Sequence, residues 1–396
     1  ASVSSNRSDN GVQQAPKGYS HPDPSMSRER PLISLGDLPL PPPPSYAAAH
    51  DDEEEERDAP PKRWFHYMPL LVVVVLLLAP HPSVLIVLVN YHLRLLQSTG
   101  WFAVHIAVIY TLYFLAFSSL IAILARDPGP VSADKEHDSG VEDNGLDLTE
   151  ALLAAHDDDM DSPGKWCRKC WAPKPPRTHH CSTCGRCILK MDHHCAWLGN
   201  ICLGHRTYTS FLHFLTCIVA IAAYIAGVNI RALYFAFANP LTIDETTPVH
   251  SIMLSFAGIV IVMVIGPFLL YHCYLVTTNQ TTLESLSPFL LLRQIPPLPD
   301  HPGDRRKLSN PPLEHELSYK QRRLVREAHG HIRQYDVGWR DNWRQIIGWD
   351  RPWDLANRIL VGGGGKGDGR SFPRNPRADE MLTRLASDLI DVDRDR

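Results

Sequence analysis

"IMLSFAGIVIVMVIGPFLLYHCYLV", Ile252 to Val276, runs for 25 residues without a Lys, Arg, Asp or Glu. About 20 apolar residues span the hydrocarbon core of a bilayer. Met68–Val89, Trp101–Ala125 and Ser210–Ile230 read the same way and also lack charge. In lipid, backbone N–H and C=O groups must pair within their own segment, so each run is expected to be a helix. Trp64, Tyr67, Trp101 and Tyr274 lie near run ends, where an aromatic belt would sit. Pro80 and Pro82 predict a kink in the first span or a break at its far end. The fold class expected is an all-α polytopic membrane protein with four transmembrane helices.

Charge sets the expected orientation. The link 90–100 holds only Arg94 and the link 231–251 only Arg231, whereas 126–209 holds ten Lys and Arg residues. By the positive-inside rule, both termini and this long link face the cytosol. Seven of the nine cysteines fall between Cys167 and Cys202. Their CxxC spacings and interleaved histidines argue for metal-bound thiolates in a reducing compartment, and against a secreted disulfide framework. The net charge of −4 gives no reason to expect a nucleic-acid partner. The first apolar run lies too far in for a cleavable signal peptide, so none is expected.

The remaining organisation follows composition. Residues 1–63 are rich in Pro and acidic residues, with "PLPPPPSY" (Pro39–Tyr46) and "DDEEEERD" (Asp51–Asp58), and read as a disordered cytosolic tail. Spans one and two occupy 64–125. An acidic flexible insert covers 126–165, a Cys-rich domain 166–208, and spans three and four 209–276. Residues 277–350 form a cytosolic C-terminal region, helical and basic over 316–334, and aromatic and amphipathic over 335–355. Residues 351–396, with "GGGG" at Gly362–Gly365, are expected to be a flexible tail.

The Cys-rich domain reads Cys167-x2-Cys170-x9-His180-Cys181-x2-Cys184-x2-Cys187, then "KMDHHCAWLGNIC" from Lys190 to Cys202. Structural zinc takes four Cys or His ligands in a tetrahedron, so two ions need eight. Seven cysteines and His179, His180, His193 and His194 offer eleven. Two sites of three Cys and one His leave one thiol spare; one all-Cys site beside a three-Cys site leaves none. Counting does not choose. Position does favour Cys195, which directly follows Asp192-His193-His194. A cysteine nucleophile needs a base, and the base needs an orienting acid. Cys195 also lies shortly before the third span, where a thiol reaches the bilayer surface.

These residues resemble the DHHC-type protein S-acyltransferases (palmitoyltransferases). "RTHHCSTCGRCILKMDHHC" (Arg177–Cys195) is nearly the family consensus, and "GHRTYTSF" (Gly204–Phe211) also matches. "TTLE" (Thr281–Glu284) looks like its TTxE motif, and "YDVGWRDNW" (Tyr335–Trp343) like its C-terminal aromatic and Asn element. The long acidic and Pro-rich N-tail is similar to that of fungal-type members. The resemblance implies a cytosolic zinc-binding Cys-rich domain between helices 2 and 3, with two structural zinc ions. Cys167, Cys170, His180 and Cys187 would hold one, and Cys181, Cys184, His194 and Cys202 the other. Cys195 would be the acylated nucleophile, His193 its base and Asp192 the orienting carboxylate. The family takes an acyl chain from palmitoyl-CoA onto that cysteine, then passes it to a cysteine of a cytosolic or membrane-associated protein substrate. Its acyl tail lies among the four helices, where Ile221, Ala222 or Ala223 would help set chain length. The location implied is an endomembrane (Golgi, ER or vacuole) or the plasma membrane.

Two features depart from the pattern. Ala196 stands where the family has Pro, and "AWLGNI" puts six residues, rather than five, between Cys195 and Cys202. The extra residue, up to about 3.5 Å of chain, is either absorbed as a bulge or displaces Cys202. This altered stretch motivates the alternative reading, a zinc-bearing membrane adaptor without activity. The alternating ligand pattern of a RING ubiquitin-ligase module is missing. Arg126, Lys190 and Arg206 are candidates for contacting CoA phosphates. Thr281, Thr282, Glu284 and Asn342 are expected to support the site, and Cys217, Cys273, His213 and His272 to pack.

Overall fold

In the computed structural model the described residues are 63–129, 131, 166–167, 169–298, 308–348 and 358–394. The expectations for the N-terminal tail and for most of the acidic insert lie outside them. Among the described residues, four helical segments are long and apolar enough to cross a membrane: Trp64–Leu95, Thr99–Ala125, Tyr208–Ala238 and Thr246–Thr277. The first is interrupted. Helix α1 (Met68–Leu78) ends at a turn on Ala79, and α2 (Pro80–Val87) leads into a widened π-helical stretch, Leu88–Leu95. Prolines lack the N–H that would bond the carbonyls four residues back. His81 repairs one of these gaps: its Nδ1 lies 3.1 Å from the Leu78 carbonyl oxygen.

Helices α3 (Thr99–Ala125) and α5 (Thr246–Thr277) both pack on α4 (Tyr208–Ala238). Small residues allow α4 and α5 a close approach, as between helices in lipid. A Cβ on Gly258 would lie 2.7 Å from the Ala222 carbonyl oxygen and 2.9 Å from the Ala226 Cβ. The shared core includes Leu88, Ile123, Phe211, Leu215, Ile221 and Leu254. Phe256, Met263 and Leu270 of α5 stay exposed on the outer face, which is the side a bilayer would cover.

Between α3 and α4 the described residues form three two-stranded antiparallel hairpins: β1–β2 (Trp166–Cys167, Ala172–Pro173), β3–β4 (His179–Cys181, Arg186–Ile188) and β5–β6 (His193–Cys195, Ile201–Leu203). Leu189 N–H donates to the Gly129 carbonyl and Arg206 N–H to that of Pro128, which ties these hairpins to the end of α3.

After α5 a single helical turn, α6 (Thr282–Leu286), precedes α7 (Tyr319–His329) and α8 (Trp339–Ile347). Asn342 Nδ2 donates to the Thr277 carbonyl at 2.8 Å and Trp343 Nε1 to Thr277 Oγ1 at 3.1 Å, so α8 closes the end of α5.

The flexible tail expected over 351–396 is corrected over 358–394; the rest of it lies outside the described residues. Helix α9 (Pro376–Arg394) carries Ala378, Leu382, Leu385 and Leu389 at helical spacing, an apolar stripe that needs a partner. It buries them against Leu291, Leu292 and Val325 in a second core. The glycine run docks on the start of α4. At Gly362, with φ of +73°, a Cβ would lie 2.8 Å from both Ser210 Cα and His213 Cβ. Ser210 Oγ donates to the Val361 carbonyl at 2.9 Å.

Gly258→Val therefore forces α4 and α5 apart. It is expected to cost about 1–3 kcal/mol, read as a lowered thermal midpoint in detergent. Gly227→Val, where nothing lies within 4 Å, is the matched control.

Candidate active site and metal centres

Strand pairing crosses the ligands between hairpins. His180 faces Cys187 across β3–β4, and His194 faces Cys202 across β5–β6. Donor atoms of Cys167, Cys170, His180 and Cys187 lie within 4.8 Å of one another, as do those of Cys181, Cys184, His194 and Cys202. With Zn–S of about 2.3 Å and Zn–N of about 2.0–2.1 Å, the N···S edge of a zinc tetrahedron is about 3.5 Å. His194 Nδ1 lies 3.6, 3.5 and 3.6 Å from the sulfurs of Cys181, Cys184 and Cys202. His180 Nδ1 lies 3.6, 3.1 and 3.9 Å from those of Cys167, Cys170 and Cys187. Both sets fit zinc as closed structural sites.

The extra residue before Cys202 is taken up in the turn. Gly199 and Asn200 both adopt positive φ, +73° and +55°, and the β5–β6 register keeps Cys202 opposite His194. Asn200 also accepts a hydrogen bond from His194 Nε2 at 2.7 Å. Such a partner fixes the tautomer and aims Nδ1 at the metal position. His179 stands apart from both sets. Burial, with the charges of Arg293, Lys174 and Arg177, outweighs Glu284 and pushes its imidazole down to about 4.

Cys195, at the end of β5, is buried and belongs to neither ligand set. Beside it, His193 Nδ1 donates to Asp192 Oδ2 at 2.7 Å. Asp192 in turn accepts from Thr282 N–H at 2.9 Å on Oδ1 and from Thr282 Oγ1 at 2.8 Å on Oδ2. Burial works against the His193 imidazolium, but hydrogen bonds with Asp192 and Cys195 outweigh it and raise the ring to about 9. Burial likewise opposes the Asp192 carboxylate. The His193 hydrogen bond and charge, with the Thr282 amide, still hold its carboxyl below the usual range.

The "TTLE" turn is the anchor. Thr281 caps α6 and accepts from Glu284 N–H, while Glu284 returns the bond to Thr281 N–H. Thr282 holds Asp192. Glu284 takes Arg177 in a bidentate pair, with Nε–Oε1 and NH2–Oε2 both 2.7 Å. Arg177 also donates to the side chain and carbonyl of Asn279 at 3.0 Å, and lies over the rings of Tyr335 and Phe372. Removing one partner of a buried ion pair costs about 3–5 kcal/mol.

The sequence does not signal Arg177–Glu284, because the partners are 107 residues apart. Nor does it signal that Tyr208 meets His272, a residue expected only to pack: their side chains lie 3.1 Å apart behind the dyad. Cys217 and His213 pack as expected, with Ser119 Oγ 2.6 Å from His213 Nδ1. Ala222 faces Gly258, Ile221 is buried in the core, and Ala223 is exposed. Of the three cations considered for phosphate contact, Arg126 bonds the Gly363 carbonyl, Lys190 lies 5.3 Å from the Phe372 ring centre, and Arg206 is exposed. Lys174 and Arg293, with His179, instead line a cavity of about 720 Å³.

The DHHC palmitoyltransferase family model matches residues 161–288. Probable protein S-acyltransferase 13 of Arabidopsis thaliana is 35% identical over 50% of this chain and 68% of its own length. Palmitoyltransferase pfa3 of Emericella nidulans is 34% identical over 48% of this chain and 37% of its own length. Palmitoyltransferase ZDHHC2 of Homo sapiens is 38% identical over 31% of this chain and 32% of its own. The chain thus spans roughly a third of each of the last two relatives.

Asn200→Ala removes the partner of His194. It is expected to weaken zinc retention at that site about 10- to 100-fold, measured by competition with a chromophoric chelator.

Proposed function

Since this chain belongs to the DHHC palmitoyltransferase family, we propose that it is a protein-cysteine S-palmitoyltransferase with Cys195 as nucleophile and His193 and Asp192 as its base and orienting acid. One observation carries the reading: Cys195 is left out of both ligand sets and stands at the head of the chain His193–Asp192–Thr282. Cys195 gives its proton to His193, and its sulfur attacks the thioester carbonyl of palmitoyl-CoA. The CoA thiolate leaves and takes that proton. A substrate protein's cysteine then gives its proton to His193 and attacks the acyl-Cys195 thioester, returning Cys195. Thioester exchange is nearly neutral in energy, so the task is positioning. Asp192 keeps His193 in the tautomer whose Nε2 is free for the thiol.

The eight hairpin ligands, Cys167, Cys170, His180 and Cys187 with Cys181, Cys184, His194 and Cys202, would hold two structural zinc ions. Bound zinc would lock the hairpins and so the position of Cys195. The apolar interior of the bundle suits a palmitoyl tail, each buried CH₂ contributing about 0.8 kcal/mol. The cavity bearing Lys174 and Arg293 suits the phosphates of CoA. The location supported is an endomembrane or the plasma membrane, with both termini and the hairpins in the cytosol, where acyl-CoA and reduced thiols are found. The substrates are cytosolic or membrane-associated proteins.

Incubation with labelled palmitoyl-CoA should give a hydroxylamine-sensitive adduct that Cys195→Ser loses with zinc content unchanged. Equal labelling of that variant would sink the assignment. The Cys195–His193 pair shares one transferable proton. Because the His193 pKa is raised, that proton is held as pH climbs past the usual histidine range and is lost through about 9. Autoacylation should therefore fall on an alkaline limb near pH 9. Asp192→Asn should move this limb to lower pH and slow labelling by on the order of 10²-fold or more.

A further inference from the structure

Asp192, His193 and His272 bring one donor atom each to within 4.8 Å of one another. The first two sit at the start of β5, while His272 projects from the last turns of α5. Two imidazoles and a carboxylate are a donor set for divalent first-row metal ions. The features that test such a site are ligand identity, supporting hydrogen bonds and a way in. The supporting bonds are present. His272 Nδ1 is tied to the Tyr208 hydroxyl at 3.1 Å, and Asp192 is held by the Thr282 amide and hydroxyl. A cavity of about 640 Å³, lined by Lys190, Asp192, Tyr208 and Val276, reaches the carboxylate. The other nitrogen of His272 stands out. The residue is 0% exposed, yet its Nε2 is buried and makes no hydrogen bond among the described residues. A buried polar atom left unpaired is destabilising, and within reach of Asp192 and His193 a metal ion would satisfy it.

We propose that Asp192, His193 and His272 form a third metal site, one for an exchangeable divalent transition-metal ion, whose occupancy switches the dyad off. The hairpin sites have four protein ligands each. This one has three, so positions stay open for water and the ion exchanges. On binding, metal–nitrogen and metal–oxygen bonds form at His193 Nδ1 and the carboxylate, the proton leaves Nδ1 while Nε2 takes one up, and the ring stays neutral with no free lone pair. No electron transfer is involved. His193 is then held by the metal and cannot take the Cys195 proton. The inhibitory half of the proposal rests on the catalytic reading given above; the binding half does not.

The test uses the full chain in detergent, with its hairpins loaded with zinc, titrated with Co²⁺. One cobalt should bind beyond the zinc, giving ligand-field bands without a thiolate charge-transfer band and without zinc release. His272→Gln, which keeps volume and a bond to Tyr208, should abolish this binding. Tyr208→Phe should weaken it about 10- to 100-fold. Autoacylation should fall over the same cobalt range in the wild type and resist cobalt in His272→Gln. An unchanged isotherm in His272→Gln overturns the site, as does cobalt that enters only by displacing zinc. If His272→Gln fails to retain zinc and is therefore misfolded, unchanged affinity in Tyr208→Phe overturns it instead. Binding that is lost in His272→Gln but never affects labelling supports the metal site and counts against the dyad's catalytic role.

Discussion

The pairing of Arg177 with Glu284 is the contact on which the geometry of the site depends. Arg177 lies in the hairpin region with a left-handed backbone, φ of +66°, and its guanidinium is almost wholly buried. Glu284 lies just beyond the last membrane helix. One short turn, α6, presents Thr282 to Asp192 and Glu284 to Arg177. The same turn is closed by its own capping box. The hairpins are therefore gripped at two points, two residues apart on a rigid element, and the carboxylate behind His193 is one of them. Asn342 and Trp343 add a third layer by fixing α8 to the residue where α5 ends.

Much of this was legible in the sequence, for identifiable reasons. A charge-free run of helical length has few alternatives in lipid, so the four spans could be read from composition alone. Strand alternation explains what ligand counting left open: of the pair His179–His180, only His180 faces Cys187 across its hairpin. What stayed hidden was of two kinds. Arg177–Glu284 and Tyr208–His272 join residues far apart in the chain, and no local pattern records such a meeting. In the C-terminal segment, a glycine run on its own points to freedom that the packing removes. Gly362, Gly363 and Gly365 are close-packed instead, and the stripe Ala378, Leu382, Leu385, Leu389 is the signal that the segment is ordered.

The departures from the family pattern concentrate in one turn, and the turn shows why a longer chain is tolerated there. Positive φ at consecutive residues Gly199 and Asn200 lets the chain double back within a few residues. Asn tolerates that conformation better than most side chains. Its amide oxygen then accepts from His194 Nε2, so the lengthened turn also orients that imidazole.

The docked glycine strap has a consequence for the order in which the molecule is made. The hairpins leave the ribosome well before Glu284, and Phe372, which covers Arg177 and Lys190, comes later still. Until α5 has been synthesised, Arg177 has no carboxylate to meet, and until residue 372 has emerged its aromatic cover is incomplete. The nascent chain must therefore carry a nearly finished, cysteine-rich module through the insertion of two membrane helices before its scaffold closes. During that interval the hairpins depend on their own strand pairing, whereas their relation to the membrane helices is set only near the end of translation.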